Sequence, residues 1–483
     1  MNAEAILANT VRRCRERGVI IPTYRQMIDP TTVPASIQEE LKGIGLWDVH
    51  PRNLFRITWK NEPLKQGGGF GGVNYLELPP ELTGVKARIF ILLGKYFPTG
   101  AHKVGATFGP LVEKLVTGRF DPTTQKALWP STGNYCRGGA YDSALLGCHS
   151  IAVLPEEMSE ERFHWLEQIG AEVVRTPGCE SNVKEIYDET KRLKAARGDE
   201  IVVLHQFEDF GNPMWHYHVT GRAMQEVFEQ NARPGDTLFG AFLTQGSAGT
   251  LASGDYLKTL HPTLKLGAGE AMQCPTLLAN GYGGHRIEGI GDKHVPWVHN
   301  LRSTDLVAAI DDESCVRVMR LFNEPAGRDT LVQAGVQRAL ADRLDLLGIS
   351  SIANLLGCIK MAKYYELTPR DCLFTVATDS MELYGSRLRQ MREARGAYSP
   401  AAAAADLAAA LHGERTDHLL ELRYEDRRRM HNLKYFTWVE QQGKSVAELN
   451  DQWYDPEYWT RIWARVNDWD TAIEEFNARV REG

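Results

Sequence analysis

Lys103 is the residue from which the chemistry of this chain is best read. An apolar, β-prone run, Arg88-Ile89-Phe90-Ile91-Leu92-Leu93, feeds a Pro98-Thr99-Gly100 turn, and a helix-like segment opens at Lys103. A helix N-terminus carries partial positive charge and unsatisfied N–H groups. An ammonium is disfavoured there, so the amine is easier to free for Schiff-base chemistry. Three more segments have the right residue types. Ser131-Thr132-Gly133-Asn134-Tyr135 again reads as strand, polar turn and helix, and gathers hydroxyls, an amide and backbone N–H groups that suit a carboxylate. Gln245-Gly246-Ser247-Ala248-Gly249-Thr250 follows an apolar strand; its small residues let the backbone approach a phosphate to which Ser247 and Thr250 can donate. Gly348-Ile349-Ser350-Ser351 opens an apolar helix, where Ser350 either caps the helix or offers its hydroxyl to a ring nitrogen.

The phosphate segment is not Gly-x-Gly-x-x-Gly, which argues against a dinucleotide site. It is not a Walker loop either: the Gly-Lys-Ser at 443–445 has Trp438 where the first glycine should stand. Pyridoxal phosphate uses all four parts, because it needs a lysine for its aldehyde, a cradle for its phosphate, a partner for its pyridine nitrogen and a pocket for an amino-acid carboxylate.

With these motifs in order over roughly residues 86 to 391, the chain resembles the fold-type II pyridoxal phosphate enzymes of the tryptophan synthase β superfamily, and most of all cysteine synthase and the cystathionine β-synthase core. Further likeness lies in Leu154-Pro155-Glu156-Glu157-Met158-Ser159 through Ile169-Gly170-Ala171-Glu172, in Gln206-Phe207, and in Ile287-Glu288-Gly289-Ile290-Gly291. The resemblance implies Lys103 as the catalytic, Schiff-base residue and Asn134 at the cofactor's 3-oxygen. It implies Gly246, Ser247, Ala248, Gly249 and Thr250 at the phosphate, and Ser350 at the pyridine nitrogen. Ser131, Thr132, Gly133, Tyr135 and Gln206 are then the substrate-binding residues. The implied reaction is β-elimination or β-replacement on a β-substituted amino acid through an aminoacrylate. Two alternatives stay open: a lyase or thiolase-type subunit working with a partner chain, and a non-catalytic homologue, against which the retained Lys103 argues. The chain departs from the family in two places. The final segment reads Ala377-Thr378-Asp379-Ser380, making Thr378 and Asp379 secondary neighbours of the ring, and a bulky Tyr135 follows Asn134.

These motifs need a scaffold that alternates strands and helices, the pattern of parallel α/β sheets. The expected architecture is a two-lobed α/β fold of twisted, mostly parallel sheets. Residues 1–85 form an N-terminal extension, 86–215 a small lobe with the lysine and substrate loop, 216–394 a large lobe with the phosphate loop, and 395–483 a helical extension. Ser399 can cap a helix opened by Pro400. In the last segment Trp459, Ile462, Trp463 and Val466 share a helical face, and five of the eleven tryptophans lie from Trp438 to Trp469, too many for a disordered tail. The Gly67–Gly72 run is either a surface loop or a flap over the site.

Composition fits a cytoplasmic enzyme. The chain has 483 residues, 43% hydrophobic and 24% charged, enough for a large core in more than one lobe. A net charge of −7 gives no general attraction to nucleic acid or an anionic membrane, and no apolar run has the length of a bilayer span. Eight scattered cysteines without Cys-x-x-Cys argue against a zinc site or a disulfide framework. His216-x-His218 lacks a third metal ligand, so no metal is expected. The expected partners are a small amino-acid substrate and a second copy in a homodimer.

Overall fold

The computed structural model describes residues 2–131, 133–179, 182–291 and 293–482. Among the described residues there are eleven strands: β1 (Tyr75–Leu78), β2 (Arg88–Leu93), β3 (Lys126–Pro130), β4 (His149–Pro155), β5 (Glu172–Thr176), β6 (Ile201–Val203), β7 (Thr237–Thr244), β8 (Lys265–Ala271), β9 (Leu306–Ile310), β10 (Asp371–Ala377) and β11 (Leu419–Glu421). They form a seven-stranded sheet in the order β1-β2-β10-β7-β8-β9-β11 and a four-stranded sheet in the order β5-β4-β3-β6. The four-stranded sheet is wholly parallel. In the larger sheet only the outermost strands, β1 and β11, run antiparallel to their neighbours.

The sequence of β2, Arg-Ile-Phe-Ile-Leu-Leu, has no alternation, and all six residues are buried. That is the signature of a parallel strand covered on both faces. Phe90 of β2 stands opposite Phe374 of β10 and stacks on it with ring centroids 4.9 Å apart. Although β2 lies inside the stretch expected for the small lobe, it belongs to the larger sheet. The chain crosses from β2 into the four-stranded layer through helix Lys103–Val116. Helix Ile349–Tyr364 covers the larger sheet, and every residue from Ile349 to Ala362 is buried.

Both extensions are built into this body. Ser399 accepts a hydrogen bond from the Ala402 amide at 3.1 Å and caps helix Pro400–Asp406, as its sequence predicts. The mostly helical C-terminal extension also supplies β11, which pairs with β9. The buried Lys360 ammonium donates to the Arg415 and Asp417 carbonyls at 2.8 and 3.0 Å and so pins the segment leading into β11. All five tryptophans from Trp438 to Trp469 are buried. Trp463 stacks on Tyr217, with centroids 4.7 Å apart, and its carbonyl bonds to the His218 ring at 2.9 Å. Trp438 Nε1 donates to the Val295 carbonyl at 2.8 Å. Lys434 lies within the same layer, donating to the Trp297 and His299 carbonyls and to Gln452 Oε1 at 2.7–2.9 Å. The N-terminal helix Ala3–Glu16 lies along Val466–Arg481, where Arg15 Nε donates to the Val480 carbonyl at 3.1 Å. Just beyond it, the Asn477 amide exchanges two hydrogen bonds with the Ile21 backbone. Among the described residues no single helix is long and apolar enough to cross a membrane.

Truncation after Gly396 removes β11 and uncovers the surfaces under these rings. Each buried aromatic hides roughly 150–250 Å², so the shortened chain is expected in the insoluble fraction. Soluble, fully active truncated protein would show instead that the extension is separable.

Candidate active site

Lys103 is the first residue of its helix and is half-buried. The turn before it holds Thr99 in the left-handed region (φ 64°), and the His102 amide donates to the Thr378 carbonyl just past β10 at 3.2 Å. The lysine is thereby anchored to the C-terminal edge of the larger sheet. Next to it, the fully buried His102 ring lies 5.6 Å from Trp59 and 5.0 Å from His216. Burial, with the nearby Lys103 charge, holds both imidazoles well below the usual histidine pKa, so they stay neutral. His216 bonds Thr220 while His218 bonds the Trp463 carbonyl, so the two histidines serve separate structural contacts.

The loops at the strand ends meet through one side chain. Gln206 Nε2 donates to Ser131 Oγ at 3.0 Å, joining two residues expected at the substrate carboxylate. Asn212 Nδ2 donates both to the Gln206 carbonyl at 2.8 Å and to Ser247 Oγ at 3.0 Å. The 131–135 loop and the 246–250 loop are therefore linked through a buried amide. Position 249 admits only glycine: a Cβ there would lie 2.2 Å from Asn212 Oδ1. Within the same loop Ala248 takes a left-handed conformation (φ 62°), which turns the chain after β7. Thr250 lies in the short turn Gly249–Leu251 that leads into helix Ala252–Leu260. Asn354 fixes the loop's base by accepting from the Thr244 amide at 2.7 Å and donating to the Val376 carbonyl at 2.8 Å.

Ser350 is buried, and the cap position of its helix belongs to Gly348. The helix-cap reading is thus excluded. Ser350 Oγ lies 3.9 Å from where a Cβ on Gly289 would be, and Gly246 faces the Gly289 carbonyl from the other side. The 287–291 segment therefore lies over the phosphate loop and Ser350 together. Asn134 opens helix Asn134–Leu145. Tyr135 packs its ring on Trp129, centroids 5.5 Å apart, and its buried hydroxyl has no hydrogen-bond partner among the described residues. It is set in the core beside the loop and makes no hydrogen bond to Ser131 or Gln206. Thr132 lies outside the described residues.

Two features were not legible in the sequence. The first is Gln245, fully buried at the end of β7, with neither Nε2 nor Oε1 partnered among the described residues. An orphaned amide in a glycine-lined cradle is costly unless a polar ligand satisfies it. The second is a charged network across the junction of the two sheets. Asn134 Nδ2 donates to Asp379 Oδ2 at 2.6 Å, and Tyr384 Oη donates to the same oxygen at 2.8 Å. Arg162 Nη2 donates to Tyr384 Oη at 3.0 Å, and Arg162 Nη1 pairs with Glu288 Oε2 at 3.0 Å. Arg387 Nε closes the chain on Glu288 Oε1 at 2.5 Å. Burial pushes the Asp379 carboxyl above the usual range against the pull of Arg162, and lowers Arg137 beside it to about 10. Gly348 is again enforced by contact, since a Cβ there would lie 1.9 Å from Asp379 Oδ1. Arg162 and Tyr384 are 222 residues apart, so no local pattern joins them.

The family model for "Pyridoxal-phosphate dependent enzyme" matches residues 68–353 of this chain. Cystathionine beta-synthase of Saccharomyces cerevisiae is 27% identical over 318 residues, covering 63% of this chain and 58% of that protein. The chain therefore spans little more than half the length of that relative. A probable cysteine synthase of Bacillus subtilis is 27% identical over 300 residues, covering 62% of this chain and 88% of that one. Among solved structures, O-acetyl serine sulfhydrylase isoform 3 of Entamoeba histolytica aligns with a TM-score of 0.57 at 21% identity, over 71% of this chain and 94% of that one.

Arg162 is fully buried between Glu288, Tyr384 and Asp379, so Arg162→Met takes a buried charge partner from Glu288, which keeps Arg387, and leaves Asp379 with the neutral donors Asn134 and Tyr384. The expected loss is about 3–5 kcal/mol in denaturant unfolding. A loss under about 1 kcal/mol, the range of an exposed pair, would show that the network is hydrated.

Proposed function

The chain belongs to the pyridoxal-phosphate dependent enzyme family, and on that premise we propose that it carries out β-replacement or β-elimination on a β-substituted amino acid. The observation that carries this reading is the Asn212 amide, which joins the Ser131–Gln206 pair to Ser247. This contact supports reading the first pair as carboxylate-binding and the second loop as a phosphate cradle, because it joins loops from the two sheets.

The fit to the cofactor rests on what the cradle lacks. Gln245 presents an unpartnered amide beside a loop that is closed to any side chain at Gly249. The N–H groups of Gly246–Thr250, with the Ser247 and Thr250 hydroxyls, would hold the phosphate. Bound there, the cofactor would draw electrons from the substrate Cα, making its proton acidic and letting a β-substituent leave. Lys103 Nζ would hold the cofactor and, as a free amine, would take the Cα proton. Ser131 Oγ, Gln206 Nε2 and the backbone N–H groups at Gly133 and Asn134 grip the substrate carboxylate. Asn134 Nδ2 spends one hydrogen on Asp379 and keeps the other for the ring oxygen. Ser350 offers a neutral hydroxyl to the ring nitrogen. A carboxylate there would keep that nitrogen protonated and store charge on the ring. A hydroxyl would do so weakly, which would favour departure of the β-substituent. Asp379 comes within reach of Asn134 but is held by Tyr384 and Arg162, so it orients the amide.

Two outcomes are expected. Sodium borohydride treatment of the yellow holoenzyme fixes the cofactor to the peptide containing Lys103, identified by mass, and Lys103→Ala abolishes the attachment. Attachment to another lysine in that variant would overturn the assignment. Gly249→Asp sets a carboxylate against both Asn212 and the phosphate, so cofactor retention after gel filtration is expected to fall by about tenfold or more, for a like-charge cost above roughly 1.4 kcal/mol. Equal retention would make the loop structural only.

A further inference from the structure

A cavity of about 480 Å³ opens beside the candidate site, between the residues that follow β4 and helix Gly385–Arg395. It shares a wall with the site. Glu288 lines the cavity and pairs with Arg162, whose Nη1 lies 2.3 Å from where a Cβ on Gly133 would stand. Ile349, next to Ser350, lines it as well. The Glu288–Arg162 pair therefore reaches from this space to Gly133 of the 131–135 loop.

The lining has two characters. Glu156, Glu157 and Glu160, all exposed, supply carboxylates, while that of Glu288 is taken by Arg162 and Arg387. The arginines at its edge are already committed: Arg286 to Asp312 and Glu313, and Arg387 to Glu288. Summed with their partners, these groups leave the cavity negative. The other wall is soft and apolar, with Met158, Met319, Met391, Val316 and Ile349. His285 also lines the cavity, 7% exposed, and neither ring nitrogen has a hydrogen-bond partner among the described residues. Burial lowers its pKa to about 4, so near neutral pH the ring offers one donor and one acceptor. A buried, unpartnered ring facing a cavity marks a place for a polar ligand.

We propose that this cavity is the docking subsite for the second substrate of a β-replacement, and that this substrate is a nucleophile on a short aliphatic chain bearing an ammonium group. The inference rests on the β-replacement reading above. The carboxylates hold the ammonium, the methionine wall holds the chain, and the nucleophilic atom points past Glu288 and Arg162 toward Cβ. For a thiol the sum is X–CH2–CH(NH3+)COO− plus R–SH giving R–S–CH2–CH(NH3+)COO− plus X–H. The C–X bond breaks with its electron pair on X, the S–C bond forms, and the thiol proton ends on X, with no net oxidation. A small anion such as hydrosulfide has no carbon chain for the apolar wall and is repelled by the carboxylates.

The test has two arms on the holoenzyme. In calorimetry, the unreactive S-methylcysteamine is expected to bind about tenfold or more tightly than 3-(methylthio)propanoate, and Glu156→Gln/Glu160→Gln to erase most of that preference. Equal affinities, or a preference unchanged in the double variant, overturn the subsite. In turnover with β-chloro-L-alanine, pyruvate release without a thiol supports the chemistry on which the subsite rests. Adding cysteamine should then divert product to the thioether more efficiently than 3-mercaptopropanoate does. Equal use of the two thiols overturns the subsite alone. No turnover of β-chloro-L-alanine or O-acetyl-L-serine overturns the β-replacement reading, and the subsite as a nucleophile site with it, whatever the calorimetry gives.

Discussion

Arg162 enters the interior with its charge, and the junction between the two sheets is arranged around neutralising it. The cost of moving a guanidinium out of water is several kcal/mol and is recovered only with well-placed acceptors. Glu288 arrives from the segment lying over the phosphate loop, and Tyr384 and Asp379 arrive from the chain that follows β10. A second tie repeats the pattern nearby, where the Glu161 carboxylate accepts from the Ser386 amide at 2.8 Å and from its hydroxyl at 2.7 Å. Two tightly packed glycines, Gly133 and Gly348, face members of this network. The spacing of the two layers is thus set by hydrogen-bond lengths, and the candidate site inherits its dimensions from them.

A second constraint acts behind the lysine. The parallel strands β2, β10 and β7 end together, and each is followed by a turn that feeds a helix or a loop of the site. Lys103, the phosphate loop and Asp379 all come from these ends, which is where open parallel sheets gather ligands. The buried amides Asn212 and Asn354 then tie neighbouring ends together. Side-chain amides suit this task because each combines donor and acceptor without a charge to desolvate.

What could be read from the sequence was local. Lys103 at a helix start, Gly246–Thr250 after an apolar strand and Ser350 near the head of an apolar helix are contiguous patterns, and each falls at the expected kind of turn. Hydroxyl and amide types also pointed to Ser131 and Gln206, which meet. Gln245 escaped because its side chain matters through what it lacks. The network of Arg162, Glu288 and Tyr384 escaped because its members come from three distant segments, and Arg162 reads alone as one charge of a solvated helix face. β11 escaped for a different reason: three half-buried residues are too few to show alternation. Tyr135 shows the limit of adjacency, since one step along a helix from Asn134 was enough to send its ring into the core.

The pairing of the two chain ends has a consequence for how the protein is made. Arg15 finds acceptors at Arg479 and Val480 and Ile21 a partner at Asn477, and β9 gains its outer neighbour only when residues near Leu419 exist. At about 5–20 residues per second, synthesis leaves the first helix waiting roughly 25–90 s before its mate leaves the ribosome. For that interval an amphipathic segment and an open sheet edge are exposed together in a nascent chain, a state prone to wrong association. Emergence of the segment Val466–Arg481, more than any single strand pairing, is therefore the event that lets the N-terminal helix dock.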